Sequence, residues 1–140
     1  MKLEYLKKTP RLFFKNGALP LYFIHFVTTK CNLQCSHCFY HNSLCSNDSE
    51  LTIDEIKRIT KSIGEILLII LTGGEPFLRS DLPEIARLYY ENAHAREIAI
   101  ITNGTLLNKI SEIAPEIAKN CPQAKIMITL SYRWCWKGSR

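Results

Sequence analysis

Four short apolar runs, separated by stretches of helical periodicity, limit what this chain can fold into more than any other feature. The runs are Leu21 to Val27, Ile66 to Leu71, Glu97 to Ile101 and Lys125 to Leu130. Each has strand length, and their largely unbroken apolar character is that of strands buried on both faces. Between the first two, Thr52 and Glu55 have capping-box spacing, and Ile53, Ile56, Ile59 and Ile63 fall on one helical stripe that Gly64 closes. Between the second and third, Asp81 is placed to cap a second helix, with Pro83 in its first turn and Glu84 at its third position. Leu82, Ile85, Leu88 and Tyr89 form its inward face. A third helix is expected over Asn108 to Asn120, and Pro115 inside it predicts a kink or two short pieces. Strand and helix thus alternate with short connections. That order predicts an α/β fold of parallel strands joined by crossovers, about (βα)3β.

At 140 residues the chain has material for one core. No apolar run approaches the roughly 18 residues of a membrane helix. Charge interrupts residues 1–15 throughout, with no apolar signal-peptide segment, so a cytoplasmic location and no membrane partner are expected. In a reducing compartment the six cysteines are expected as thiols or metal ligands rather than disulfides. The net charge of +5 belongs to the ends: Lys2, Lys7, Lys8, Arg11 and Lys15 at one, Arg133, Lys137 and Arg140 at the other. The body between them is slightly acidic, and no basic stripe interleaved with aromatics runs through it. Direct nucleic-acid binding is not expected.

The chemistry gathers where strands end, the rim on which parallel β/α folds bind ligands. After the first strand, Cys31, Cys35 and Cys38 are spaced C-x3-C-x2-C. Three thiolates hold iron or zinc and leave one coordination position without a cysteine, which suits a working cofactor better than a closed staple. A zinc site remains the alternative, with His25, His37 or His41 as fourth ligand. After the second strand comes Gly73-Gly74-Glu75-Pro76. Adjacent glycines let main-chain groups approach a ligand closely, and Glu75 adds an acceptor; a tight turn that binds nothing is the plainer reading. After the third strand, Thr102-Asn103-Gly104 faces a ligand or is an ordinary Asn-Gly turn. Cys45 reads as a free thiol or auxiliary ligand, Cys121 as structural, His94 as an exposed helix end, and Phe39 and Tyr40 as packing or pocket residues.

Taken together, Cys31, Cys35 and Cys38, Gly73-Gly74-Glu75-Pro76 and Thr102-Asn103-Gly104, in that order and on those elements, resemble the radical S-adenosylmethionine superfamily. The resemblance covers about residues 21–131 and leans toward the branch with molybdenum-cofactor cyclases and peptide-maturing enzymes. It implies the N-terminal half of a partial (β/α)6 TIM-like barrel. It implies a [4Fe-4S] cluster on Cys31, Cys35 and Cys38, with S-adenosyl-L-methionine chelating the fourth iron. Reductive cleavage of that cofactor would yield a 5′-deoxyadenosyl radical, which takes hydrogen from a substrate. By analogy the main chain at Gly73, Gly74 and Glu75 receives the methionine amino group. His37 meets the adenine side, Thr102 and Asn103 belong to the same cofactor rim, and Ser131 matches a cofactor-contacting serine. Expected partners are a small-molecule or peptide substrate and an electron donor such as flavodoxin or ferredoxin. A non-catalytic zinc or iron–sulfur module is the competing reading.

Two segments stand outside this core. Residues 1–20 read as an irregular lead-in, punctuated by Asn16-Gly17 and Pro20. Residues 132–140 read as an aberrant tail, because the family pattern after Ser131 is Ser-[Leu/Ile]-Asp-Gly and this chain continues Tyr132-Arg133-Trp134-Cys135-Trp136. Removing the first base of the Tyr132 codon allows Ile-Asp-Gly-[Val/Ala]-Gly, which predicts a frameshift in the gene or its sequencing. The 140-residue chain is then expected to be a fragment, with an unpaired fourth strand and uncertain activity of its own.

Overall fold

The computed structural model describes residues 21–35, 38 and 50–131. The lead-in, His37, His41, Cys45, Phe39, Tyr40 and the tail, with the frameshift expected there, therefore lie outside the described residues. Within them the order is β1 (Tyr22–Thr28), α1 (Ile53–Ser62), β2 (Leu68–Gly73), a 3-10 turn (Pro76–Leu78), α2 (Leu82–Asn92), β3 (Glu97–Thr102), α3 (Leu107–Asn120) and β4 (Lys125–Leu130). The strands form one sheet in the order β1-β2-β3-β4, every neighbouring pair parallel. The (βα)3β reading of the sequence is the observed architecture.

Cross-strand register shows how the sheet is covered. Phe23, Ile69, Ile98 and Ile126 pack into the core with Ile56, Leu82, Ile85, Leu88, Tyr89 and Ile117 of the helices, as do Val27, Leu71 and Ile100. Tyr22, Ile24, Phe26, Leu68, Ile70, Ala99 and Met127, on the alternate positions, stand outside that cluster. Helices on a single face of a parallel sheet are the arrangement of a β/α barrel wall, not of a doubly wound sheet, which carries helices on both.

The capping box at α1 forms as expected: the Thr52 hydroxyl accepts from the Glu55 amide at 3.3 Å and the Glu55 carboxylate accepts from the Thr52 amide at 2.8 Å. Those bonds hold the Glu55 carboxyl below its ordinary range. Gly64, just past the helix, has φ +69°, the left-handed conformation a helix stop requires.

Three expectations need correction. β2 starts at Leu68, not Ile66, because the amides of Ile66 and Leu67 are taken by the carbonyls of Ala93 and Leu21. Asp81 sits at the N-cap of α2 but makes no side-chain cap. The Arg79 guanidinium holds its carboxylate in two bonds, at 2.7 and 3.1 Å, and a charged fork outcompetes a neutral amide. α3 runs unbroken through Pro115. The bond lost at the proline is offset by packing on either side of it, since Ile110, Ile113 and Ile117 all dock on the core.

Candidate cofactor site at the carboxyl rim of the sheet

β1, β2 and β3 end side by side, and their exit loops are bonded to one another. The β2 exit is pressed directly against the β1 exit: the Gly74 amide donates to the Thr28 carbonyl at 2.7 Å and the Glu75 amide to the Lys30 carbonyl at 2.8 Å. A Cβ on Gly74 would collide with the Lys30 carbonyl, and one on Gly73, whose φ is +120°, with that of Thr28. The close approach these glycines permit is thus first an approach to the cysteine-bearing loop. Their donors at 74 and 75 are spent there, and what such a turn has left for a ligand is its acceptor side.

Glu75 is completely buried. One carboxylate oxygen accepts from the Phe77 amide at 3.2 Å and the Thr102 hydroxyl at 2.8 Å; the other accepts from the Asn103 amide at 2.8 Å. Three donors from two loops around one carboxylate make it the bracket that fixes the β3 exit against the β2 exit.

Asn103 carries the link back to the cysteines. Its side-chain Nδ2 donates to Asn32 Oδ1 at 2.9 Å and lies 4.0 Å from the Cys31 sulfur. Its oxygen accepts from the Thr105 amide at 2.9 Å, and Asn32 in turn donates to the Thr105 hydroxyl at 2.7 Å. The Leu33 amide points at the Cys31 sulfur at 3.5 Å. Cys35 and Cys38 are drawn together by a turn in which the Cys38 amide donates to the Cys35 carbonyl at 3.0 Å. None of the three is in a disulfide, and all three are half-buried. Ser131 reaches the same rim through its amide, which donates to the Thr102 carbonyl at 2.8 Å.

Residues 26–131 match the family profile of the Radical SAM superfamily. The chain belongs to that superfamily. Radical SAM membership carries S-adenosylmethionine-dependent radical chemistry as the family's general activity. Among curated proteins the chain is similar to the GTP 3',8-cyclases of Clostridium perfringens strains SM101 and 13. Each is 37% identical over 93 residues, which is 63% of this chain and 29% of the relative. The chain thus spans less than a third of those relatives. A solved structure described as native anSMEcpe with bound AdoMet and Cp18Cys peptide matches 78% of this chain and 42% of its own, at 21% identity and a TM-score of 0.43.

The donor set and its surroundings fit an iron–sulfur cluster. Among the described residues no three His, Cys, Asp or Glu side chains converge closely enough to hold a metal ion between them. Three cysteine thiols are the donor type of an iron–sulfur cluster. Amides aimed at the Cys31 sulfur, from Asn103 and Leu33, are the kind of donor that stabilises cluster thiolates.

His25, considered above as a zinc ligand, lies elsewhere. Its Nδ1 is 3.1 Å from the Tyr89 hydroxyl, beneath α2, and its Nε2 is a buried atom without a partner. Burial and then the Arg79 charge lower its pKa to about 4, so it is neutral at pH 7. Cys121 is buried, and that burial raises its pKa to about 11, as suits a packing residue. Sequence reasoning passed over Asn32, Thr105, Glu50 and Arg79. Only Arg79 left a signal, a lone cation between apolar Leu78 and the capping Asp81.

Proposed function

We propose that this chain supplies the cofactor-binding half of a radical S-adenosylmethionine enzyme. Cys31, Cys35 and Cys38 hold a [4Fe-4S] cluster whose fourth iron is left for S-adenosylmethionine. The bound pair supplies reductive cleavage of the sulfonium to a 5′-deoxyadenosyl radical, the hydrogen-abstracting agent. The observation that carries the reading is Glu75, whose main-chain amide is bonded to Lys30 of the cysteine-bearing loop and whose carboxylate is bonded to Thr102 and Asn103.

The chain's own groups divide the work. The carbonyl side of Gly73 and Gly74 accepts from the methionine amino group, a donor that needs acceptors. Asn103 and Leu33 place N–H groups toward the Cys31 sulfur. Thr102 and Ser131 line the cofactor side of the rim, and His37 is assigned the adenine side. The substrate is a small molecule or peptide, and a flavodoxin or ferredoxin delivers the electron. In keeping with the absence of a basic stripe, neither nucleic acid nor membrane is a partner, and the setting is cytoplasmic.

Anaerobic reconstitution of the chain with iron and sulfide is the test. The expected product is brown, holds about four irons in the manner of a Cys-ligated [4Fe-4S] centre, and releases 5′-deoxyadenosine from S-adenosylmethionine on reduction. Cys31→Ala removes the colour. A colourless protein with one tightly bound zinc assigns the cysteines to a non-catalytic module instead.

A further inference from the structure

The segment that carries all three cysteines leaves the sheet at Thr28 and rejoins the described fold at Glu50. One side chain touches both ends of it. Arg79, 8% exposed, donates to the Val27 carbonyl through one terminal nitrogen and to the Leu51 carbonyl, at 2.6 Å, through the other. Asp81 holds the same guanidinium from behind in two bonds. Glu50 approaches it to 4.0 Å and also accepts from the Thr28 hydroxyl, which itself accepts from the Lys30 amide at 3.0 Å. The β1–β2 register slips between Phe26 and Thr28, so Val27 is the extra residue of a bulge and its carbonyl is turned out of the ladder toward Arg79. The sequence spends a ladder position to make this contact.

We propose that Arg79 is a positioning residue that clamps the two stems of the cysteine segment, so that the thiolates are presented together to the iron–sulfur cluster. The proposal rests on the cluster reading above and adds a residue outside the cluster's own ligands. Pinning the ends of a segment removes, before any ligand binds, the closure entropy the segment otherwise loses on binding. Arginine suits the task because its planar fork satisfies two carbonyls and a carboxylate at once, whereas a lysine reaches one of them.

The test measures how fast an iron chelator bleaches the reconstituted chain, alongside the thermal midpoint of the apo chain. Arg79→Gln is expected to lose its cluster about tenfold faster than the wild type, the scale of a lost charge-assisted contact. Arg79→Lys keeps the charge without the fork and is expected to stay near Arg79→Gln. Thr28→Val cuts the second stem link, a hydroxyl-to-carboxylate hydrogen bond, without removing a charge and is expected to accelerate release about tenfold, the low end for a hydrogen bond to a charged group. It carries the test if the Arg79 variants do not fold. Leu88→Ala, a core cavity in α2 away from the rim, lowers the midpoint and is expected to leave the release rate unchanged. The clamp is overturned if Arg79→Gln or Thr28→Val bleaches at the wild-type rate, or if Leu88→Ala bleaches as fast as they do. A wild-type chain that takes up no iron overturns the cluster reading itself, and the clamp with it.

Discussion

Glu75 and His25 are both buried ionisable groups, and they solve that problem in opposite ways. Glu75 keeps a carboxylate in the interior by surrounding it with three donors. Glu75→Gln replaces one of its acceptor oxygens with an NH2 group that faces donors. Such a mismatch costs about 1–3 kcal/mol. Urea melts are expected to show that loss, with Asn103 released from the Cys31 side of the rim. His25 stays neutral because burial opposes its charge. Its folded pKa, about 4, lies below the ordinary 6.5, so the unfolded chain takes the proton first as pH falls. Stability from this residue is full above about pH 6.5, declines through the window down to about 4, and is lost below it, an effect on the order of 3 kcal/mol. The groups facing the ring are Tyr89 and the more distant charge of Arg79. Urea midpoints for wild type and His25→Gln are expected to converge as pH is lowered from 7.5 to 5, since the variant has no proton to gain there.

Among the elements, α3 carries the clearest local conflict. Pro115 sits inside a 14-residue helix and denies a hydrogen bond to the carbonyl four residues earlier, that of Ser111. Pro115→Ala is expected to raise the thermal midpoint, with a gain of about 1 kcal/mol or more, limited by the packing already made at Ile113 and Ile117. An unchanged or lowered midpoint would show that the helix depends on the proline's geometry. The same element explains why Pro115 misled the sequence reading. A proline's local penalty is visible in sequence; the docking of residues 110, 113 and 117 on a sheet is not. At α2 the lesson is reversed. Asp81 had the residue type and place of a cap, and the Arg79 fork took its carboxylate.

For the whole molecule, the decisive fact is a sheet covered on one face by the helices among the described residues. Tyr22 and Ile24 are 57% and 55% exposed on the other face, and Leu130 is 64% exposed at the β4 end. Among the described residues β1 and β4 are both edges of the sheet. Apolar residues exposed beside an open strand edge favour association. The chain is expected to self-associate in sedimentation runs as concentration rises. Ile24→Lys is expected to shift that onset to at least about tenfold higher concentration, the equivalent of one buried aliphatic side chain. Wild type and variant sedimenting alike as monomers at every concentration would remove the prediction.

The order of strands, the capped first helix, the buried stripes and the three chemical signatures at strand ends were legible in the residues themselves. Each depends on neighbours a few positions apart, through helical or strand periodicity and through turn chemistry. The division of labour at the rim was not legible. Glu75 read as a ligand acceptor, and its carboxylate also brackets two loops. Gly73 and Gly74 read as room for a ligand, and their missing side chains also make room for Thr28 and Lys30. Arg79 drew no notice and joins residues 52 and 28 positions away. Local spacing determines which groups a strand end carries. Only the parallel packing of the strands decides which of those groups face one another, because that choice is made by contacts between residues the chain keeps far apart.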